Sequence, residues 1–400
     1  MVDVQLALKT VLQNPIDLGD ELVPLEFAVG KILAEDIRSD RSLPPFNRVC
    51  MDGIAINHQA IRNGQKTFQI EKVIAAGDPE YTLLQVDHCV EIMTGAVLPK
   101  NTDTVIRYED LGREKDGFTI LAEIRQGANI HNKGTDFSKD EVLLKKHLKL
   151  KPVDINILAS VGMATVMVKK MPTVALISSG NELIPVHLKP EDHQIRISNI
   201  HMLKARLTQL GIKSSDFHFK DEKTDIREKL LDIMKSYDVI LMSGGVSKGK
   251  FDFIPGILDE LGFNKLFHGV KQRPGKPMWF GRRDNNLVFA FPGNPVSSLA
   301  CLHKYFIPWL NTCLKQDLPL KLKVKLAKDV DFKPDLHYFA QASLSIGNDG
   351  VNYATVSHGN GSGDIVNPSG MDGFVEFPRG SSRFLSGEIY NFIPFHPIYS

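Results

Sequence analysis

Three acidic side chains stand beside small-residue loops in the middle of the chain. Glu182 lies in SSGNELIP (178–185), Asp252 in SGGVSKGKFDF (243–253), and Asp221 just after the short run SSDFHFK. A third loop, PGNPVSS (292–298), carries Pro292, Asn294 and Pro295. Gly244 and Gly245 lack a Cβ, so backbone N–H groups there can approach a ligand closely; Ser247 adds a hydroxyl. The helix that begins near Asp252 would present its N-terminus to an anion. Carboxylates beside an anion repel it unless a cation lies between them. Mg²⁺ held by one or two carboxylates and a phosphate is the usual resolution.

Basic groups stand in KQRPGKP (271–277), where Lys271, Arg273 and Lys276 surround a rigid Pro-Gly turn. Arginine grips an oxyanion with two parallel hydrogen bonds, and lysine adds a point charge. Together these residues describe a site for a phosphorylated small molecule with Mg²⁺. Plainer readings stay open: the glycines as simple turns, Asp252 as a helix N-cap, the other acids and the basic turn as solvated surface. The P-loop pattern G-x-x-x-x-G-K-[ST] is absent.

The loops need strands to position them. VALIS (174–178), VILMS (239–243) and LVFAF (287–291) are apolar throughout, as suits strands buried on both faces of a parallel sheet. Helical patterns separate them at about 200–210, 222–236, 252–261 and 296–313. Alternating strand and helix predicts a central α/β layered domain with a mostly parallel sheet, over 169–316. The three loops then gather at the carboxyl ends of the strands, where such sheets bind ligands.

Residues 1–168 read differently. A short amphipathic helix (3–13) precedes strands TFQIEKVI, HCVEIM, DTVIRYED and FTILAEI, and a helix at 152–161 starts with Pro152 and stops at Gly162. Residues 317–400 return to strands, with Asn-Asp-Gly in SLSIGNDGVNYATV as a hairpin signal. The expected fold is multidomain: a mainly-β N-terminal region with helices, the α/β domain, and a small β-barrel-like C-terminal domain.

Composition narrows the function. With 48 basic and 47 acidic residues the formal charge is +1, which offers no electrostatic basis for nucleic acid or an anionic membrane as partner. No apolar run approaches the ~20 residues of a membrane-spanning helix, and MVDVQLALKT does not read as a signal peptide, so a cytoplasmic protein is expected. The four cysteines form no CxxC pair and the thirteen histidines no HExxH.

The longer motifs identify a family. LPPFNRVCMDGIAI (43–56), IMTGAVLPKNTDTVIRYED (92–110), GTDF (134–137), SSGNELIP, SNIHML (198–203), SGGVSKGKFDF, RPGKP and FPGNPVSS, in that order, resemble the molybdopterin molybdenumtransferases, the MoeA family, which includes the E domains of gephyrin-like proteins. The resemblance implies insertion of molybdate into adenylylated molybdopterin with Mg²⁺-dependent release of AMP. It implies a homodimer in which one subunit completes the other's cleft, and transient contact with molybdopterin adenylyltransferase and acceptor molybdoenzymes. By motif, Asp52 of MDG and Thr94 of TGA face the cleft from the N-terminal β part, Asp52 being catalytic together with Glu182, Asp221 and Asp252, and the resemblance implies that these last three acids hold the metal and position the phosphate. Pro292, Asn294 and Pro295 line the site, and Ser362 of GNGSGDI matches an oxyanion-binding serine.

The chain departs from the family pattern at several positions. Arg273 stands where Lys is frequent, Asn181 where an acid is found, and Val49 where serine is common, while Ile197-Ser198-Asn199 replaces Asp-Ser-Asn. Gln341, in FAQA (339–342), takes the place of an oxyanion-binding arginine. Two other functions fit parts of the pattern. Adenylylation of molybdopterin by ATP would use the α/β domain alone, and a non-catalytic pterin-binding carrier would accommodate Gln341.

Overall fold

The computed structural model describes residues 1–400 except 247–252, 319–321, 360, 362 and 397–400. Ser247, Asp252 and Ser362 therefore lie outside the described residues. The chain forms two compact units, Met1–Glu21 with Lys169–Ser400, and Leu22–Val168. The sequence reading groups residues 1–21 with those up to 168, whereas they pack in the unit that holds the α/β layers.

In that unit the apolar runs form the predicted strands. Val174–Ser179 and Val239–Ser243 are buried at every position. They pair in parallel with each other, and the sheet extends in parallel to Ser214–Phe219 on one side and Asn286–Phe291 on the other. Trp279–Arg283 and Asn264–His268 then add antiparallel strands at one edge, so the sheet is mixed. Apolar residues of Lys223–Met234 and Ile254–Glu260 join strand residues such as Ile177, Ile240 and Val288 in one core. Asn199–Gln209 packs against Val174–Ser179 and Pro295–Cys301.

The pattern at 296–313 becomes Pro295–Cys301 and Ile307–Cys313 joined by a π-helical segment, Leu302–Phe306. Asn294 caps its start, its Oδ1 accepting the Ser297 N–H at 3.2 Å. Against its end lies the N-terminal helix Val4–Leu12, which buries Val4, Ala7 and Val11. The Trp309 indole donates to Asn14 O at 2.9 Å.

Residues after 321 build a closed barrel. His337–Ile346, Asn352–Val356, Leu322–Leu326, Ile389–Pro394 and Gly373–Phe377 pair in turn, and the last returns to the first. The Asn-Asp-Gly turn joins the first two, with Gly350 at φ +73°. Inside lie Val324, Leu326, Ala340, Ala354, Val375, Phe377 and Phe392.

The Leu22–Val168 unit contains a six-stranded sheet in the order Thr104–Arg107, Gly53–Ile56, His88–Ile92, Thr67–Ile74, Gly117–Ile120, Leu111–Arg113. Its faces carry separate cores, one around Val49, Ala55 and Val90, the other around Ile54, Ile56 and Phe68. The glycine of MDG has a steric cause. A Cβ on Gly53 would fall 1.8 Å from Ile106 O and 2.8 Å from Arg107 Cα, both backbone atoms of the paired strand. Gly53→Ala is therefore expected to destabilise this unit by about 2–3 kcal/mol. Thermal denaturation checks it; wild-type melting would mean the strand yields freely.

Among the described residues no helix is long and apolar enough to cross a membrane.

Candidate functional site

The carboxyl ends of Val174–Ser179, Val239–Ser243 and Asn286–Phe291 open onto a cavity of about 1120 Å³. Glu182, Asp221, Gly244, Gly245, Pro292, Asn294 and Pro295, all named from sequence, line it. They converge because parallel strands of equal register end together and pass their loops to one edge.

Hydrogen bonds fix the loops to one another. Ser179 Oγ donates to Asp221 Oδ1 at 2.8 Å, and the Asp221 N–H donates to Asn181 Oδ1 at 3.1 Å. The first two acidic loops are thus joined through Ser179 and Asn181. Gly244 adopts φ +102°, and a Cβ there would lie 2.8 Å from Ser179 O, so only glycine lets these loops approach. Its N–H donates to Phe291 O at 3.1 Å, tying the second loop to the third.

Asn199 closes the arrangement. Its Nδ2 donates to Ser243 Oγ at 3.0 Å and to Gly293 O at 2.7 Å, joining the end of one strand to the PGNP loop. Ser298 Oγ donates to Pro292 O at 2.9 Å. The sequence reading includes Asn199 only within SNIHML and as part of a motif departure, without giving it a site role, because its partners are distant in sequence. Arg196 also lines the cavity, a cation that sequence reasoning misses because it stands on the two-stranded pair Leu183–Ile184 and Ile195–Arg196, remote from any glycine motif.

Behind the cavity wall, burial holds His218 below the ordinary imidazole range. Its Nδ1 is 3.1 Å from Ser178 Oγ. A neutral ring suits that contact.

Arg273 and Lys276 are exposed on the 271–277 turn and are not among the described residues lining the cavity, although Pro277 is. Among the described residues neither has an acidic partner at ion-pair distance. Gln341 is 7% exposed, in a barrel strand, and its Oε1 has no hydrogen-bond partner among the described residues. It is an interior amide and does not line the cavity.

Asp52 and Thr94 form a pair of their own in the Leu22–Val168 unit. Asp52 Oδ1 accepts the Thr94 N–H at 2.6 Å and the Thr94 hydroxyl at 2.7 Å. These bonds, the backbone one foremost, hold the Asp52 carboxyl below the usual carboxylate range. Asp52 is exposed, so this is a poised anion on the surface of its unit.

A cavity of this size at the carboxyl edge of a parallel sheet, walled by two carboxylates and glycine turns, defines a small-molecule-binding α/β enzyme domain. Residues 2–162 match the family described as MoeA N-terminal region (domain I and II), and residues 175–312 the one described as probable molybdopterin binding domain. The molybdopterin molybdenumtransferase of Synechocystis sp. is 36% identical over 397 residues, covering 98% of this chain and 99% of its own. That of Staphylococcus epidermidis is 28% identical, covering 98% and 95%. The solved structure of a molybdopterin biosynthesis MoeA protein from Pyrococcus horikoshii superposes with a TM-score of 0.88 at 29% identity, over all of both chains. The chain belongs to the MoeA family of molybdopterin molybdenumtransferases, enzymes of molybdenum cofactor biosynthesis.

Proposed function

We propose that this protein inserts molybdate into adenylylated molybdopterin and releases AMP in a Mg²⁺-dependent reaction. The observation that carries this reading is the cavity that brings Glu182 and Asp221 opposite the Gly244-Gly245 turn. It has the room for a pterin nucleotide and the donors for its phosphates.

The donor set fits a hard divalent ion. Asp221 has one oxygen engaged by Ser179, and Glu182 is exposed. Two carboxylates with substrate phosphates form a usual Mg²⁺ environment, since this ion keeps several waters and rarely has an all-protein cage. Among the described residues no cluster of three or more histidine, cysteine, aspartate or glutamate side chains able to hold a metal is found; Asp252, the third expected ligand, lies outside them. When bound, Mg²⁺ would neutralise phosphate charge and improve AMP as a leaving group.

The chain's own residues supply the rest. With the Gly244 N–H engaged by Phe291 O, backbone N–H groups at Gly245 and at Gly293–Asn294 orient the nucleotide. Arg273 and Lys276, four residues and one residue from Pro277 in the cavity wall, offer charge to the molybdate dianion. Holding oxyanion and dithiolene together supplies much of the acceleration. Asp52, kept ionised by Thr94, orients the attacking oxygen. The reading includes a homodimer.

Purified protein, adenylylated molybdopterin, Mg²⁺ and molybdate are expected to yield AMP and active cofactor only when molybdate is present. Conversion of free molybdopterin and ATP would instead place the protein at the adenylylation step. Tight pterin binding without turnover would reject the insertion chemistry.

A further inference from the structure

The turn that carries Arg273 and Lys276 stands on a buried polar cluster. Gln272, Cys301 and Tyr305 are all fully buried. The Tyr305 hydroxyl donates to Gln272 Oε1, and Gln272 Nε2 lies 3.7 Å from Cys301 Sγ. Burial pushes the Cys301 thiol and the Tyr305 phenol upward, so both stay neutral. An interior that needed only filler at these positions would use apolar side chains, because a buried amide is unfavourable unless both its ends are bonded.

The cluster is shaped to the turn. Gly275 sits directly on it at φ +90°; a Cβ there would lie 2.5 Å from Gln272 Nε2 and 2.8 Å from Cys301 Sγ. Val270 N–H donates to Lys276 O at 2.8 Å, closing the turn, and Gln272 and Arg273 pair in parallel with His337 and Tyr338 of the barrel. On the helix side, the π-helical segment Leu302–Phe306 buries five successive residues, Tyr305 among them. A π-segment adds a residue to the helical repeat and so re-aims the side chains that follow. Here it aims Tyr305 at Gln272.

We propose that Gln272, Tyr305 and Cys301 are positioning residues that hold the Arg273–Lys276 turn in the orientation that receives molybdate. The inference rests on the reading above, in which those two cations bind the oxyanion. The cluster touches no substrate; it acts through the turn, and its contribution is to oxyanion affinity.

The test compares the full-length enzyme with Tyr305→Phe, with Tyr305→Phe/Gln272→Met, and with Arg273→Ala/Lys276→Ala. The first leaves the Gln272 acceptor buried and unpaired; the second removes both polar groups with little change of volume. Melting temperature, kcat, and KM for molybdate and for adenylylated molybdopterin are measured for each. Both cluster variants are expected to raise the molybdate KM about tenfold with kcat and the pterin KM little changed, the scale of a binding group displaced by a fraction of an ångström. The double cluster variant is expected to melt near wild type and yet keep the raised KM. Recovery of KM together with melting temperature would show a purely structural role and overturn the proposal. A raised KM in the turn variant beside unchanged values in both cluster variants would overturn the cluster's role alone. An unchanged KM in the turn variant would overturn the reading of the turn, and the proposal with it.

Discussion

Lys304→Met is expected to destabilise the protein by about 3–5 kcal/mol, because it strands a buried carboxylate. Lys304 and Glu376 are 9% and 8% exposed, joined by a direct ion pair, with His337 Nε2 3.7 Å from the same oxygen. Lys304 comes from the π-helical segment and Glu376 from the barrel, so the pair fastens these two parts of one unit. Burial alone would raise the Glu376 pKa; the adjacent His337 and Lys304 overcome it and hold the carboxyl down to about 2, against an ordinary value of 4.5. The sign follows. A depressed carboxylate contributes its full stability above 4.5 and loses it as pH falls from there toward 2. Wild type and Lys304→Met should therefore differ most near neutral pH and converge on acidification. Lys304→Met/Glu376→Leu, which leaves no lone charge, should recover most of the loss. Urea denaturation followed through the buried Trp279 and Trp309 reads all three. A single variant as stable as wild type at pH 7 would show that the pair contributes nothing.

Glu182→Ala/Asp221→Ala should reduce molybdate-dependent AMP release by roughly 10²–10³-fold, the scale of lost charge stabilisation at a reacting phosphate. Stability should change little, since Glu182 is exposed and Asp221 only half-buried. Two readouts separate metal binding from general damage. Half-saturation in a Mg²⁺ titration should move to higher concentration, and Mn²⁺ bound with the pterin nucleotide, measured by electron paramagnetic resonance, should decline in step. An unaltered metal titration at reduced turnover would remove both carboxylates from the metal site and leave them an orienting role.

The sheet and its loops were legible because their cause is local. A strand buried on both faces must be apolar throughout, and VALIS, VILMS and LVFAF announce this without any partner in view. The sharing of one edge by Glu182, Asp221 and the glycine turn followed from that single inference. What escaped depends on distant pairing. Nothing near Gln272 signals a bond to Tyr305, and Leu302–Phe306 has no sequence mark separating a π-segment from continued α-helix. Asn199 looks like an ordinary helix start until Ser243 and Gly293 are set beside it. Gln341 illustrates the converse: its residue type is plain in the sequence, but its burial is a property of the barrel. The N-terminal helix was readable as amphipathic, while the surface it covers, nearly the length of the chain away, was not.

That last separation has a consequence for synthesis. Val4–Leu12 is synthesised ahead of all of Leu22–Val168 and the whole six-stranded α/β sheet, whereas the residues it packs on, in Ile307–Cys313, follow them. At bacterial-to-eukaryotic elongation rates its apolar face stays uncovered for about 15–60 s. The nascent chain thus carries an apolar helix face that stays open to other contacts until its docking site emerges.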